Sequence, residues 1–281
     1  MDELDIVIAT HDNLPFLQVC VETIRKSTTV PHKTIVIDDR SAGNIGEWCK
    51  AQADVSYIRN DRLDALARLW NIGILSSTSP YVCILNDDCF VSPGWDVAML
   101  DYLKAHPGTG IVGPVTYEGL QGMDPEFWTN VPHYDGRHNQ HLTSQGGIEG
   151  DLASCYGGDY FKFAKAFQDR HKDMILNFPP TYCFIVRREV FQDIGIFDPI
   201  FKRFWFEDLD FFFRVKCDEH WKMESIGWVY VHHLRSTSVI REDSYKEQMD
   251  SNNSKFHLKA HALNEIRKRD GKAPFSNPMG I

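Results

Sequence analysis

Three short apolar runs, each stopped by a cluster of acidic or amide side chains, constrain the fold of this chain more than anything else in it. Asp5–Thr10 runs into His11-Asp12-Asn13, Thr34–Asp38 into Asp39-Arg40-Ser41, and Tyr81–Leu85 into Asn86-Asp87-Asp88. Between them lie stretches of helical period: Leu14, Leu17, Val21 and Ile24, then Leu63, Leu66, Trp70 and Ile74. Asn13 is placed to cap the first helix, with Pro15 in its first turn. A further helix over about 95–104 precedes a strand at Gly110–Val112. Alternation of this kind predicts a mostly parallel sheet flanked by helices, an α/β fold. Ligands in such sheets gather beyond the carboxyl ends of the strands, where the polar clusters fall. Each cluster alone also reads as an Asx turn; three in succession point to a site.

The 281 residues suffice for one large domain with a modest appendage. With 30 Lys+Arg against 39 Asp+Glu the net charge is −9, which offers no general attraction to nucleic acid or anionic lipid. Arg187, Arg188, Lys202 and Arg203 form the one basic cluster near the aromatic stretch described below. No apolar run approaches the length of a transmembrane segment, and the amino end is acidic where a secretory signal would be basic. The seven cysteines are odd in number, scattered and never spaced C-x-x-C. A cytoplasmic protein without a zinc ribbon is the expectation.

The character changes over Tyr117–Phe178, which is rich in Gly, His, Tyr, Asn and Gln and weak in apolar period. It reads as a long, partly irregular insertion, and long loops of this kind are usually functional. His133, Asp135, His138 and His141 cluster within it, but nothing fixes a tetrahedral zinc set there. Order returns with a strand at Thr181–Val186 and a helix at Arg188–Ile194 ending at Gly195. The aromatic stretch Phe201–Phe213 then encloses Glu207, Asp208 and Asp210, and Phe211–Phe213 reads as core. A hairpin-like pair, Lys222–Ile226 and Trp228–Val231, ends in His232-His233. The charged tail from Glu242 to Lys272 reads as helix, with Phe256 and Leu263 to dock it or to form a dimer contact. One catalytic domain over 1–240 with a helical extension over 241–281 is the economical division.

Two adjacent carboxylates after a buried strand repel each other unless a cation or donor network sits between them. Asp87 and Asp88 therefore suit Mg²⁺ or Mn²⁺ shared with the phosphates of a ligand. An apolar surround raises the pKa of a carboxylate and makes it a better proton acceptor, which bears on Glu207 and Asp208. The helix dipole alone also explains acids at that position. Neighbouring residues on a strand face opposite sides, so one of His232 and His233 can point into a given site.

In this order along the chain, these segments resemble the family 2 glycosyltransferases of the GT-A fold. The matching pieces are Ile6–Asn13, Val36–Ser41, Asn71–Ile74, Ile84–Asp88, Pro93–Trp95, Ile185–Phe191, Ile194–Asp198, Phe206–Asp210 and Val231–His233. The resemblance implies a metal-dependent, inverting transfer of a sugar from a nucleoside-diphosphate donor, with a UDP-sugar favoured, to an acceptor hydroxyl. It implies that Thr10, Asp12 and Asp39 hold the nucleobase and ribose, with Asn71 near the same wall. Asp88 matches the last acid of the family's D-x-D element and would bind the metal. Asn86 stands where the first acid is usual, a departure that implies either weaker metal affinity or an Asp87 left to contact the ribose. Asp208 matches the catalytic base, with Glu207 beside it contacting the acceptor or orienting the base, and His232 or His233 matches the third metal ligand; the spacing to Thr237 favours His232. Phe201, Phe204, Trp205, Phe206 and Tyr182 would flank the base, with Trp205 and Tyr182 touching a carbohydrate or other hydroxyl acceptor. Two other classes share parts of this pattern: a nucleotidyltransferase, which would show a glycine-rich basic loop in place of Thr10–Asn13, and a non-catalytic sugar- or nucleotide-binding module.

Overall fold

A computed structural model describes residues 3–115, 158–233 and 245–275. The first half runs β1 (Leu4–Thr10), α1 (Leu14–Ser27), β2 (His32–Asp39), α2 (Ile45–Lys50), β3 (Val55–Asn60), α3 (Leu66–Ser76), β4 (Tyr81–Asn86), β5 (Cys89–Val91), α4 (Trp95–Ala105) and β6 (Thr109–Val115). The second runs α5 (Tyr160–Arg170), β7 (Ile175–Leu176), β8 (Cys183–Arg187), α6 (Arg188–Ile194), α7 (Glu207–Asp218), β9 (Lys222–His233) and α8 (Tyr245–Arg269).

The strands form a nine-stranded sheet in the order β3-β2-β1-β4-β8-β6-β9-β5, with β7 also on β9. β1 pairs in parallel with β2 on one side and β4 on the other, so the strand order reverses there. That crevice is where ligands of doubly wound sheets bind. β8 runs antiparallel to both β4 and β6. Every residue of β1 and β6 is buried, as continuous apolar runs covered on both faces must be. α1 buries Leu17, Cys20, Val21 and Ile24 on one face of the sheet. α3 lies on the other, and a Cβ on its Gly73 would stand 2.2 Å from Val7 Cγ1, so only glycine allows this close approach to β1.

Four expectations need correction. Asn13 occupies the N-cap position of α1, but its side chain makes no capping bond. Residues 222–233 form one strand, not a hairpin, with a register shift against β6 between Pro114 and Val115. Gly227 marks a packing point in it: its N–H donates to Met174 O at 2.8 Å, and a Cβ there would meet His171 O at 2.3 Å. The carboxyl end of the Tyr117–Phe178 stretch is ordered, since α5 buries Tyr160, Ala164 and Phe167 against β9 and its neighbours. Three of the four members of the basic cluster turn to the protein itself, and Lys202 alone is exposed. Arg187 donates to Thr109 O and Leu103 O, Arg188 to Ser79 O and Ser77 Oγ, and Arg203 turns into the central cleft.

α8 docks as expected through Phe256, which packs with Phe201, Phe213 and Ala260 in a separate small core. Phe211–Phe213 are buried. The six cysteines among the described residues are free thiols, five of them buried. Cys155 and the His133, Asp135, His138 and His141 group lie outside the described residues. No helix among the described residues is long and apolar enough to cross a membrane.

Candidate active site

The carboxyl ends of β1, β2, β4 and β9 open into one cleft of about 180 Å³, lined also by Thr181, Tyr182, Phe204, Trp205, Glu207 and Asp208. Thr10, Asp39, Asn86, Asp87, Asp88, Tyr182, Trp205, Glu207, Asp208 and His233 all line it. Residues up to 223 positions apart in sequence therefore meet in one cavity, because strand ends on one edge of a sheet are spatial neighbours.

At one end, the two adjacent aspartates of β2 part company. Asp38 is buried and turns into the sheet edge, accepting from Ser41 N (2.9 Å), Tyr57 Oη (2.7 Å) and Arg59 Nη1 (2.9 Å). Burial alone would raise its pKa, but these donors outweigh it and hold it below the ordinary value. Asp39 lines the cleft. Its Oδ1 accepts from Asn60 Nδ2 and Asp64 N, both at 3.0 Å, and Arg203 Nη1 stands 3.4 Å from Oδ2. Burial wins here and its pKa is raised.

The β4–β5 turn brings the acidic pair into the middle of the cleft. Asp87 Oδ2 accepts from Thr10 Oγ1 at 2.7 Å. Burial first, and the charge of Asp88 second, push the Asp87 carboxyl up to about 7. His233 Nε2 lies 3.3 Å from Asp88 Oδ1, and Tyr182 stacks on the imidazole with ring centroids 3.9 Å apart. Asp88, Cys89 and His233 each bring one potential ligand atom within 4.8 Å of the others. A carboxylate, an imidazole and a thiol within reach of one another are a donor set that fits a divalent cation, and the charge crowding between Asp87 and Asp88 is what such a cation relieves.

His233, not His232, is thus the imidazole that reaches the acidic pair. β5 pairs with β9 so that Cys89 faces His233 and Phe90 faces His232. Paired residues share a face of the sheet, so His232 goes with Phe90 to the opposite side. There it is fully buried, stacked on Phe90, with its pKa lowered to about 3 mainly by burial.

At the other end, α7 begins with Glu207 and Asp208 in its first turn, after Phe206 at the N-cap. Glu207 is buried and its Oε2 has no hydrogen-bond partner among the described residues. Burial and the neighbouring Asp208 hold Glu207 well above the usual carboxyl range. Asp208 is half-buried and accepts from Leu209 N at 2.7 Å and from Thr181. Burial raises its pKa too, but these donors favour its ionised form. Both carboxyls are thus raised by burial, Glu207 without a compensating side-chain donor and Asp208 with two donors, Thr181 and the Leu209 amide. Asp210, by contrast, is engaged by Arg214 (2.9 Å) and Lys259 (2.6 Å) and serves the fold.

Two expected contacts are not at the cleft. Asp12 lies on the exposed rim in a left-handed conformation (φ 49°), its Oδ1 accepting from Ala42 N, so it ties the β1–α1 loop to the β2–α2 loop. Asn71 faces inward: Nδ2 donates to Phe197 O (2.8 Å) and Oδ1 accepts from Phe197 N (3.0 Å), which consumes its amide in pinning a distant loop. Of the aromatic flank, Phe204, Trp205 and Tyr182 line the cleft, whereas Phe201 and Phe206 pack with Phe256 on α8. Sequence reasoning missed Arg203, Thr181 and Cys89. Arg203 carried a signal only as a charge near the aromatic stretch, and the other two looked like ordinary strand residues.

The fold is of the GT-A type. The chain belongs to glycosyl transferase family 2, whose model matches residues 5–195. Over 250 residues it is 24% identical to the uncharacterized protein y4gI of Sinorhizobium fredii, covering 86% of this chain and 25% of that one. Over 122 residues it is 27% identical to chondroitin synthase of Escherichia coli, covering 42% of this chain and 18% of that one. A crystal structure of GalNAc-T7 with UDP, GalNAc and Mn²⁺ matches with a TM-score of 0.56 at 16% identity, over 83% of this chain and 44% of that one. The chain spans a quarter or less of the length of these two curated relatives.

Proposed function

We propose that this chain catalyses a metal-dependent, inverting transfer of a sugar from a nucleoside-diphosphate donor, a UDP-sugar, to a hydroxyl of a carbohydrate or similar acceptor. The observation that carries the reading is the placement of two distinct acidic groups in one cleft: Asp87 and Asp88 beside His233, and Glu207 with Asp208 at the start of α7.

In this reading Asp39, with Arg203 and Asp64 beside it, receives the nucleobase and ribose, and Thr10 and Asn86 lie along the nucleotide path. Asp88 and His233, with Cys89 and Asp87 at hand, would hold Mn²⁺ or Mg²⁺, which when bound neutralises charge on the leaving diphosphate. Asp208 takes the proton of the acceptor hydroxyl as that oxygen attacks the anomeric carbon from the side opposite the diphosphate. Thr181 and the Leu209 amide favour the ionised form of Asp208, and Glu207 beside it contacts the acceptor or orients the base. Trp205, 39% exposed at the cleft, offers a face on which a sugar ring can stack. Free thiols throughout the described residues support a reducing compartment such as the cytoplasm.

Asp208→Asn should abolish transfer while donor and metal still bind. Calorimetry with UDP-sugar and Mn²⁺, set beside a turnover assay, tests this. Loss of donor affinity in the variant, or retained turnover, overturns the base assignment. Wild-type protein that neither transfers nor slowly hydrolyses any nucleotide sugar would overturn the enzymatic reading altogether.

A further inference from the structure

Asn252, in the middle of α8, is fully buried although it is a polar residue in a helix of mixed, charged sequence. Its side chain leaves the helix and enters the segment that leads into Glu207 and Asp208. Nδ2 donates to Lys202 O (2.7 Å), Phe204 O (2.9 Å) and Trp205 O (3.3 Å), and Oδ1 accepts from Lys202 N (3.1 Å). The Arg203 carbonyl goes instead to Leu66 N at 2.8 Å, and that of Phe206 to Asp210 N at 2.9 Å. All five carbonyls from 202 to 206 are thereby claimed, three of them by one amide.

That backbone needs such restraint. Arg203, Trp205 and Phe206 have φ of 58°, 80° and 73°, a region in which large L-residues are disfavoured, and none of them is glycine. Strain of this kind persists only where the surroundings over-determine it. The same three turns send Arg203 toward Asp39, Trp205 into the cleft and Glu207-Asp208 onto its wall. α8 is itself fixed nearby, because Lys259 bridges Asp198 and Asp210 and Phe256 packs on Phe206 and Phe213.

We infer that Asn252 is a positioning residue: it holds residues 202–206 in their strained path and so sets the placement of Trp205 and Asp208 from outside the cleft. The matched family segment stops at residue 195, so the likeness assigns α8 no part in this. The inference rests on the proposed function only for its catalytic consequence; the structural part stands on hydrogen bonds alone.

Hydrogen exchange read by mass spectrometry on the full chain tests it. Asn252→Ala and Asn252→Asp, the second keeping the acceptor oxygen but losing the donors, should both speed exchange at residues 203–208 by about tenfold or more, with β1–β4 unchanged. In both, turnover of a UDP-sugar with Mn²⁺ should fall at least about tenfold while UDP–Mn²⁺ affinity changes less. Unchanged exchange at 203–208, or a rise spread evenly over β1–β4, overturns the inference. If neither variant folds, wild-type NMR decides: the Asn252 side-chain amide protons should exchange far more slowly than those of exposed Asn44, and equal rates overturn the inference. Inactive wild-type protein would count against the proposed function and leave the exchange result to judge Asn252 by itself.

Discussion

Replacing Asp87 with Asn should stabilise the metal-free protein, and the gain should grow with pH. Burial and Asp88 raise the Asp87 carboxyl from an ordinary 3.8 to about 7. As pH climbs past the ordinary value, the unfolded chain gives up this proton first. The folded state then loses relative stability until its own carboxyl ionises near 7. Below both values nothing is lost, and above both the loss is complete. A gap of about 3 pH units, at about 1.4 kcal/mol each, sets a ceiling on the order of 4 kcal/mol. Asparagine carries no such charge and can still accept the Thr10 hydroxyl. In EDTA, D87N should need more urea to unfold than wild type at about pH 8, and the two should converge near about pH 4. Added Mn²⁺ should raise the wild-type midpoint well above its effect on D87N, since a ligand that binds the folded state shifts unfolding. A variant no more stable than wild type at the higher pH, or one whose advantage is the same at both, would refute the reasoning.

The two histidines should separate cleanly. His233→Ala should weaken Mn²⁺ binding by about 10- to 100-fold in calorimetry, the scale seen when a metal centre loses a supporting group; unaltered affinity would remove His233 from the ligand set. His232→Ala, which empties a buried position against Phe90, should lower the melting temperature and leave Mn²⁺ affinity within a few-fold. Asn71→Ala should cost about 2–4 kcal/mol in urea unfolding, because it strands a buried N–H and C=O of Phe197. UDP affinity should not move in that variant, and a large drop would restore Asn71 to the nucleotide wall.

Much of the fold was legible because the central strands are buried on both faces, so their sequences are unbroken apolar runs. β1, β4, α4 and α6 lie within a residue or two of where the pattern puts them. β3 and α2 escaped notice for the opposite reason: Val55–Asn60 is an edge strand of intermediate burial with polar residues throughout, and α2 has only six residues. Gly227 looked like a turn because a glycine needed for close approach and one needed for a bend are the same letter in a sequence. The acidic positions could be read, since strand ends must present them. The partners of each acid could not: Asp38 and Asp39 are adjacent, yet Tyr57 and Arg59 claim one while Asn60 and Arg203 attend the other. Likewise, alternation says that one of His232 and His233 enters the cleft, but the pairing of β5 with β9 chooses which.

The burial of Phe256, Ala260 and Asn252 against Phe201, Phe213 and the 202–205 backbone has a practical corollary for anyone cutting or grafting this domain. A fragment that stops short of Tyr245 would bare an aromatic patch and leave three peptide carbonyls facing water beside the cleft. Chimeras that exchange residues 202–206 should therefore carry the helix along with the loop it grips, as a single transplantable cassette.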